Sequence, residues 1–317
     1  MTSNLAGTPS DCGTVPYVTT KPDENLLIIG VVTQGVFASN NGGNSWFKLG
    51  QGSGSDAFTA GLSLVQFDPL DTNRWWLSGV RFGTPYKTLD KGNTFKKLAD
   101  FPLNDGIAVD FSDPDRKTLV LGGHEQVQEV QYSADGGLTW TNIGATLPTN
   151  SGHSSYPVVI NENTFLIGTS NNEIYRTTDK GAHWTKVASG GGGAMPLKHS
   201  DGSFYWASRD TSGLWRSTNN GETWTQVTAN GIVFGMTPIE LPDHRIVMRS
   251  PMGMLVSSDH GINWRQITPP IPNDYFWYVS TYSTYEKAFF TTRFGCDGSK
   301  VVNADAVMRY SWDYTTD

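Results

Sequence analysis

Six segments of one pattern, Ser/Thr-x-Asp/Asn-x-Gly-x-x-aromatic, recur along this chain. They are SNNGGNSW at 39–46, TLDKGNTF at 88–95, SADGGLTW at 133–140, TTDKGAHW at 177–184, STNNGETW at 217–224 and SSDHGINW at 257–264. Their starts lie 49, 45, 44, 40 and 40 residues apart, a spacing too regular for chance turn signals. Each piece of the pattern has a physical job. The Asp/Asn side chain accepts hydrogen bonds from nearby backbone N–H groups and pins the turn. The Gly takes a backbone conformation that a Cβ would penalise. The closing Trp or Phe starts the next strand and buries a large ring between units. A period of ~40–45 residues with strand-like flanks is the length of one propeller blade.

The repeat decides the fold class. A chain of 317 residues would allow one large domain or two. The repeat makes residues 1–317 a single all-β propeller domain, with seven blades expected and six as the alternative. Eleven Trp and 35 Gly agree with a turn-rich β composition.

These motifs resemble the Asp boxes of sialidases, xyloglucanases, sortilin-type receptors and several propeller polysaccharide lyases. The resemblance covers residues 39–264 and is specific for fold, while many chemistries share the scaffold. In that family the box joins the third and fourth strands of a blade. The first three strands of blades two to six then fall at 64–67, 75–79 and 86–88; 107–111, 118–122 and 129–133; 156–160, 164–169 and 173–177; 194–198, 204–208 and 214–217; and 236–240, 245–249 and 254–257. Blade one runs over about 15–49, with inner strands near 26–32 and 36–39. The 53 residues after Trp264 supply a degenerate seventh blade, with strands at 277–282, 287–292 and 306–312 and no box.

Strand alternation assigns the faces. First-to-second turns and boxes share one face; second-to-third turns and blade connections share the other. The boxes are short and uniform, so the variable second face is the expected site. There the loops carry Arg81, His124, Arg209, Arg249 and Arg293, and the connections add Asp56, Asp105, His153, Tyr156, Asp274, Tyr275 and Trp277. Net charge is −7, which argues against nucleic acid as a partner. Arginines gathered on one face of an acidic protein instead suit carboxylates or sulfates. The partner is therefore expected to be an anionic oligo- or polysaccharide, bound by a monomer. His183, His199, His244 and His260 fall on the opposite face and read as solvated turn residues. No HExxH and no Cys/His spacing supports a catalytic zinc site. No cofactor is expected; a structural calcium ion stays open.

The order of residues also resembles the propeller lyases of ulvan and of rhamnose–glucuronate linkages. Those place two histidines on adjacent blades, then a Tyr and an Arg one blade further. The resemblance implies His124 and His153 for the histidine pair and Arg209 for the arginine. The tyrosine is missing from its place, where this chain has Ser189-Gly190-Gly191-Gly192-Gly193. Tyr156 would substitute, or a histidine would do both jobs. Arg81, Arg249, Arg293, Tyr275 and Trp277 are then the substrate-binding candidates. A β-eliminating lyase on a uronate is the leading expectation. A glycoside hydrolase, which needs two facing carboxylates such as Asp56 and Asp105, is the alternative. A non-catalytic binder is the third reading, and loops that differ from blade to blade speak against a multivalent lectin.

Two cysteines bear on location. Cys12 precedes blade one, and Cys296 lies in a loop of blade seven, on the same face of a neighbouring blade. A disulfide between them would fasten the seam and constrain the unfolded chain by on the order of 5 kcal/mol. It points to an extracellular protein, with a cytoplasmic one as alternative. No signal peptide is visible at Met1-Thr2-Ser3-Asn4, and no apolar run reaches the ~18 residues of a membrane span.

Overall fold

The computed structural model describes residues 1–12, 14–80, 84–101, 103–209, 213–233, 235–250, 252–271, 279–293 and 300–317. The fold is a seven-bladed all-β propeller with almost no helix. Six antiparallel sheets have four strands and the last has three. Strands follow one another in chain order within every sheet, so each sheet is a meander joined by short turns. Helix is limited among the described residues to two single turns, Ser3–Leu5 and Tyr314–Thr316. No helix among them is long and apolar enough to cross a membrane. The blades group into two compact units, residues 1–104 with 273–317, and residues 105–272.

The repeated turn is held the same way six times. The hydroxyl of its first residue accepts the buried N–H of the Gly four residues on, at 2.9–3.0 Å. That hydroxyl also donates to the Asp/Asn two residues on, whose oxygen in turn takes a backbone N–H from the far side of the turn. In the fourth copy Thr177 donates to Asp179 Oδ1 at 2.7 Å, and Asp179 Oδ1 accepts His183 N at 2.9 Å. The His183 N–H, with the His183 ring and Thr177 hydroxyl, holds the Asp179 carboxyl down at about 2. The turns lie beside the first-to-second turns, as Lys91 N to Asn73 O (3.0 Å) and Lys180 N to Asn163 O (3.0 Å) record.

The aromatic residue that closes each turn packs backward. Trp184 joins the layer of Val120, Val130, Phe165 and Ile167 between blades three and four. Trp224 joins Leu166, Ile174 and Trp206, and Trp264 joins Tyr205, Leu214 and Met248. In the other unit Phe95 packs with Ile28, Val36 and Trp75, and Trp46 with Val18, Phe290 and Val307. In these five repeats the closing ring thus packs a blade against its predecessor.

Strand ends differ from expectation where side chains interfere. The first strand of blade five is only Leu197–Lys198, and that of blade six only Ile239–Glu240. Pro196 and Pro238 precede them, and proline has no N–H to give the ladder. Blade three starts earlier, at Asn104, and stops at Val109, because the Asp110 carboxylate turns the chain by accepting Ser112 N at 2.9 Å. The seventh sheet has strands Ser280–Ser283, Ala288–Thr292 and Val307–Ser311 and lacks the turn, as its degenerate sequence suggests.

The N-terminal segment lies against blade seven. Thr2 N donates to Ala304 O (2.8 Å), Gly7 N to Val302 O (3.0 Å) and Ser10 N to Lys300 O (2.7 Å), with Pro9 opposite Val301. The Trp46 indole donates to Met1 O at 2.8 Å and ties this segment to blade one.

Thr177 is 1 % exposed and tests the turn device. Thr177→Val keeps the shape and strands the buried Gly181 N–H, a loss of about 1–3 kcal/mol. The expected readout is a lower urea midpoint with an unchanged slope. A midpoint equal to that of the parent protein would refute the account.

Candidate active site

Within the unit of residues 105–272, second-to-third loops and blade-entering segments meet at one end of blades three to five. Ser154 N donates to Gln126 O (3.1 Å), and Ser170 N to His153 O (3.0 Å). The repeated turns are at the other end, so within this unit the face assignment made from strand alternation agrees with the contacts.

Asp105 lies near the start of the strand Asn104–Val109, and His124 directly follows the strand Leu119–Gly123. The two meet at 2.7 Å, Asp105 Oδ1 to His124 Nδ1. Both are largely buried, with side chains 12 % and 25 % exposed. The other nitrogen, Nε2, is 3.8 Å from Oε1 of the exposed Glu125. His153 is fixed through its backbone, whose N–H donates to Ser170 Oγ at 2.8 Å and which bridges to Val127. The residue as a whole is half-buried.

Tyr156 is half-buried on the strand Ser154–Asn161, just past a register shift between Ser154 and Tyr156. Burial pushes its phenol well above the ordinary tyrosine value, the Asp105 carboxylate adds to that, and the Arg209 guanidinium opposes it. Those influences put Asp105, Tyr156 and Arg209 within electrostatic reach of one another. Arg209 is exposed, one residue beyond Ser208, and its N–H donates to Asn172 Oδ1 at 2.6 Å. Its backbone is clamped between two glycines. A Cβ on Gly193 would stand 1.8 Å from Arg209 N, and one on Gly235 would stand 2.4 Å from Arg209 O. This explains the glycine run 190–193 where the lyase pattern has a tyrosine: a side chain at Gly193 would collide with the arginine's own backbone.

The other expected residues are placed differently. Arg249 is not on a loop. It is in the strand Ile246–Ser250, which runs one residue past its expected end at 249, and it has no exposed surface. Arg293 belongs to the other unit, where it forms a short ion pair with Asp305. Asp56 is also in that unit and accepts Lys97 N at 2.9 Å. Arg81, Asp274, Tyr275, Trp277 and Cys296 lie outside the described residues. Cys12, the one described cysteine, is not a free thiol.

One reading is corrected at the opposite end. His199 is not a solvated turn residue. It is 4 % exposed, with Nδ1 2.9 Å from Asp201 Oδ1 and Nε2 3.4 Å from Glu240 Oε1. His244 and His260 surround it edge-on, 6.2 and 6.3 Å away between ring centres. Sequence placed it in a turn correctly, but a turn between packed blades is not solvent. Among the described residues no group of three or more His, Cys, Asp and Glu is placed to hold a metal ion.

Comparison with known proteins follows this geometry. The profile of a family described as "DUF6242 beta propeller domain" matches residues 138–299. No curated protein matches the sequence. Among solved structures, a streptogramin B lyase is similar at 13 % identity and a TM-score of 0.61, over 90 % of this chain and 92 % of that one. The GH74 xyloglucanase of Xanthomonas campestris is similar at 16 % identity and 0.58, over 97 % of this chain and 55 % of its own. An extracellular domain from B. thetaiotaomicron is similar at 14 % and 0.63, over 90 % and 39 %. At such identities the likeness is one of fold.

The Asp201 carboxyl gives an acid-stability expectation. Burial would raise it, but hydrogen bonds from Ser203 and the His199 imidazole outweigh burial and hold it well below the ordinary value. A carboxyl depressed on folding stabilises above its unfolded pKa of ~3.9 and loses that contribution as pH falls through the lower folded value. Asp201→Asn should therefore lower Tm near neutral pH and bring it together with the parent Tm toward strong acid. Parallel Tm–pH curves would contradict this.

Proposed function

For a chain that belongs to the DUF6242 β-propeller family, we propose an extracellular carbohydrate-active enzyme, a polysaccharide lyase that cleaves a uronate linkage by β-elimination. The observation that carries this is the Asp105–His124 pair, with the half-buried Tyr156 and the clamped Arg209 on the next two blades at the same end of this unit. β-Elimination needs a cation on the carboxylate, a base for the proton α to it and an acid for the leaving oxygen. Arg209 neutralises the carboxylate and stabilises the enolate-like charge, and His153 is assigned to bind the substrate with it. The His124 Nε2 removes the α proton. The electron pair forms the C=C bond, the glycosidic C–O bond breaks, and Tyr156 protonates the departing oxygen. The phenol is protonated at neutral pH, as a donor must be, and its raised pKa makes that proton harder to give up, so the substrate's developing oxyanion has to draw it off. His124 then returns a proton through solvent to the tyrosinate.

Hydrolysis is the second reading, favoured by the GH74 xyloglucanase among the similar folds. It is weaker here because Asp105 is committed to His124 and so is not available as one of two facing carboxylates. We read the seven blades as one domain, acting as a monomer on an anionic oligo- or polysaccharide without a cofactor. We also propose that Cys12 pairs with Cys296, which supports an extracellular location. The antiparallel pairing of residues 2–10 with 300–304 supports this reading.

Incubation with uronate-containing polysaccharides should generate the ultraviolet absorbance of an unsaturated product. Arg209→Ala should lower kcat by about 10²–10³, and His124→Ala and Tyr156→Phe by about 10²–10⁴, each with a Tm close to the parent. New reducing ends without absorbance would favour hydrolysis, and neither signal would favour a binder. In a separate check, the denatured protein should release two thiols only after reduction, and two thiols without reductant would refute the bond.

A further inference from the structure

We propose that Asn230 is a self-modification site, where the Gly231 main-chain nitrogen displaces the side-chain amide and leaves aspartate or isoaspartate, and that the fold confines this reaction to Asn230. The reaction needs no substrate and stands apart from the lyase reading.

The chain holds three identical dipeptides, Asn41-Gly42, Asn220-Gly221 and Asn230-Gly231. Each could close the same cyclic imide. The Gly nitrogen attacks the Asn Cγ, a C–N bond forms and the Cγ–Nδ2 bond breaks. The amide leaves as ammonia, taking the proton that the main-chain nitrogen gives up. Water then opens the imide. Breaking the new bond to Cγ gives aspartate; breaking the bond to the main-chain carbonyl gives isoaspartate. Such an internal attack is fast only where the reacting atoms can approach to about 3–3.5 Å in the right orientation. The fold therefore decides which of the three dipeptides reacts.

Two of them are locked inside repeated turns. Asn41 Oδ1 accepts Ser39 Oγ at 2.9 Å and Ser45 N at 3.0 Å, and Nδ2 donates to Ser45 Oγ at 2.8 Å. Turning this side chain onto Gly42 would break all three bonds. Gly221 is buried, and its N–H donates to Ser217 Oγ at 3.0 Å, so the nucleophile of the second pair is already engaged. Both glycines are also packed. A Cβ on Gly42 would stand 2.4 Å from Glu286 Oε2, and one on Gly221 would stand 2.6 Å from Leu166 Cδ1.

The third pair has none of these restraints. Asn230 and Gly231 form an exposed turn after the strand Thr225–Thr228. A Cβ on Gly231 would meet nothing within 4 Å. Among the described residues no acceptor holds the Gly231 N–H. The Gln226 amide, anchored on Thr228 O at 3.2 Å, donates to Asn230 Oδ1 at 2.8 Å. That bond draws electrons from Cγ and stabilises the oxyanion that forms when nitrogen adds to it.

The turn begins the connection from blade five to blade six, at the end away from the repeated turns. Gly235 belongs to the same connection, and a Cβ there would stand 2.4 Å from Arg209 O. Isoaspartate routes the main chain through the side chain and lengthens this connection by one carbon. Either product adds a negative charge to it.

The test follows the full folded chain over time at mildly alkaline pH, mapping its peptides by mass. The Asn230 peptide should gain the mass of an acid in place of an amide. A more acidic band should appear on isoelectric focusing, and a protein-isoaspartate methyltransferase should methylate the product. Asn41 and Asn220 should convert about 10²-fold more slowly. In guanidinium chloride, with the turns unfolded, all three should convert at comparable rates. Asn230→Gln, whose longer side chain closes a less favourable ring, and Gly231→Ala, which puts a Cβ beside the attacking nitrogen, should each suppress the acidic band. An Asn230 that stays intact in the folded chain overturns the proposal. So does conversion of Asn41 or Asn220 as fast as Asn230, or a preference for Asn230 that persists in guanidinium chloride. None of these readouts involves a polysaccharide, so the lyase reading stands or falls separately.

Discussion

A single hydrogen bond, from a buried glycine N–H to a Ser or Thr hydroxyl four residues earlier, recurs in all six repeated turns. Everything else in the blades is arranged around it. A buried N–H without a partner is costly, so the hydroxyl is an obligatory acceptor rather than an ornament. Fixing the glycine fixes where the following aromatic ring emerges, and that ring fills the layer toward the preceding blade. The local turn and the long-range packing are therefore one device. It also explains a separation of tasks. The ends that carry these turns are constrained by their own chemistry, which leaves the opposite ends free to differ from blade to blade.

Those free ends use the same physics for another purpose. Asp105 and Arg209 are opposite charges acting on one phenol at Tyr156. Asp105 is spent on His124, and the Arg209 backbone is held by Asn172 and by two glycines that admit no side chain. The guanidinium is consequently delivered by main-chain clamping, while its head remains exposed.

The fold was legible because its signals are local. Turn residues at fixed offsets and a near-constant period specify blades, and strand positions followed within a few residues. The misplaced ends belong to Pro196, Pro238 and Asp110, each a local effect that a period of 40–45 averages away. The site was legible only as a set of loop positions. His124, Tyr156 and Arg209 could be placed at one end by counting strands. The link between Asp105 and His124, 19 residues apart, depends on pairing register and side-chain direction, which no spacing reveals. Arg249 was misjudged because a strand that continues one residue further, to Ser250, turns an arginine expected at the edge of a loop into a buried one. His199 failed for a related reason: turn and solvent are not synonyms when a second blade covers the turn.

The pairing of the first ten residues with blade seven has a consequence for how the chain assembles. Thr2 bonds to a carbonyl 301 residues away, so this contact exists only after nearly all of the sequence has been synthesised. Residues 105–272 form a continuous compact unit. The discontinuous unit must wait, with Leu5 and Val15 still lacking the apolar partners they later find among Phe290, Val302 and Val307. Because non-local pairing is slow to form, the opening segment is the part of the newborn protein most in need of shelter from aggregation.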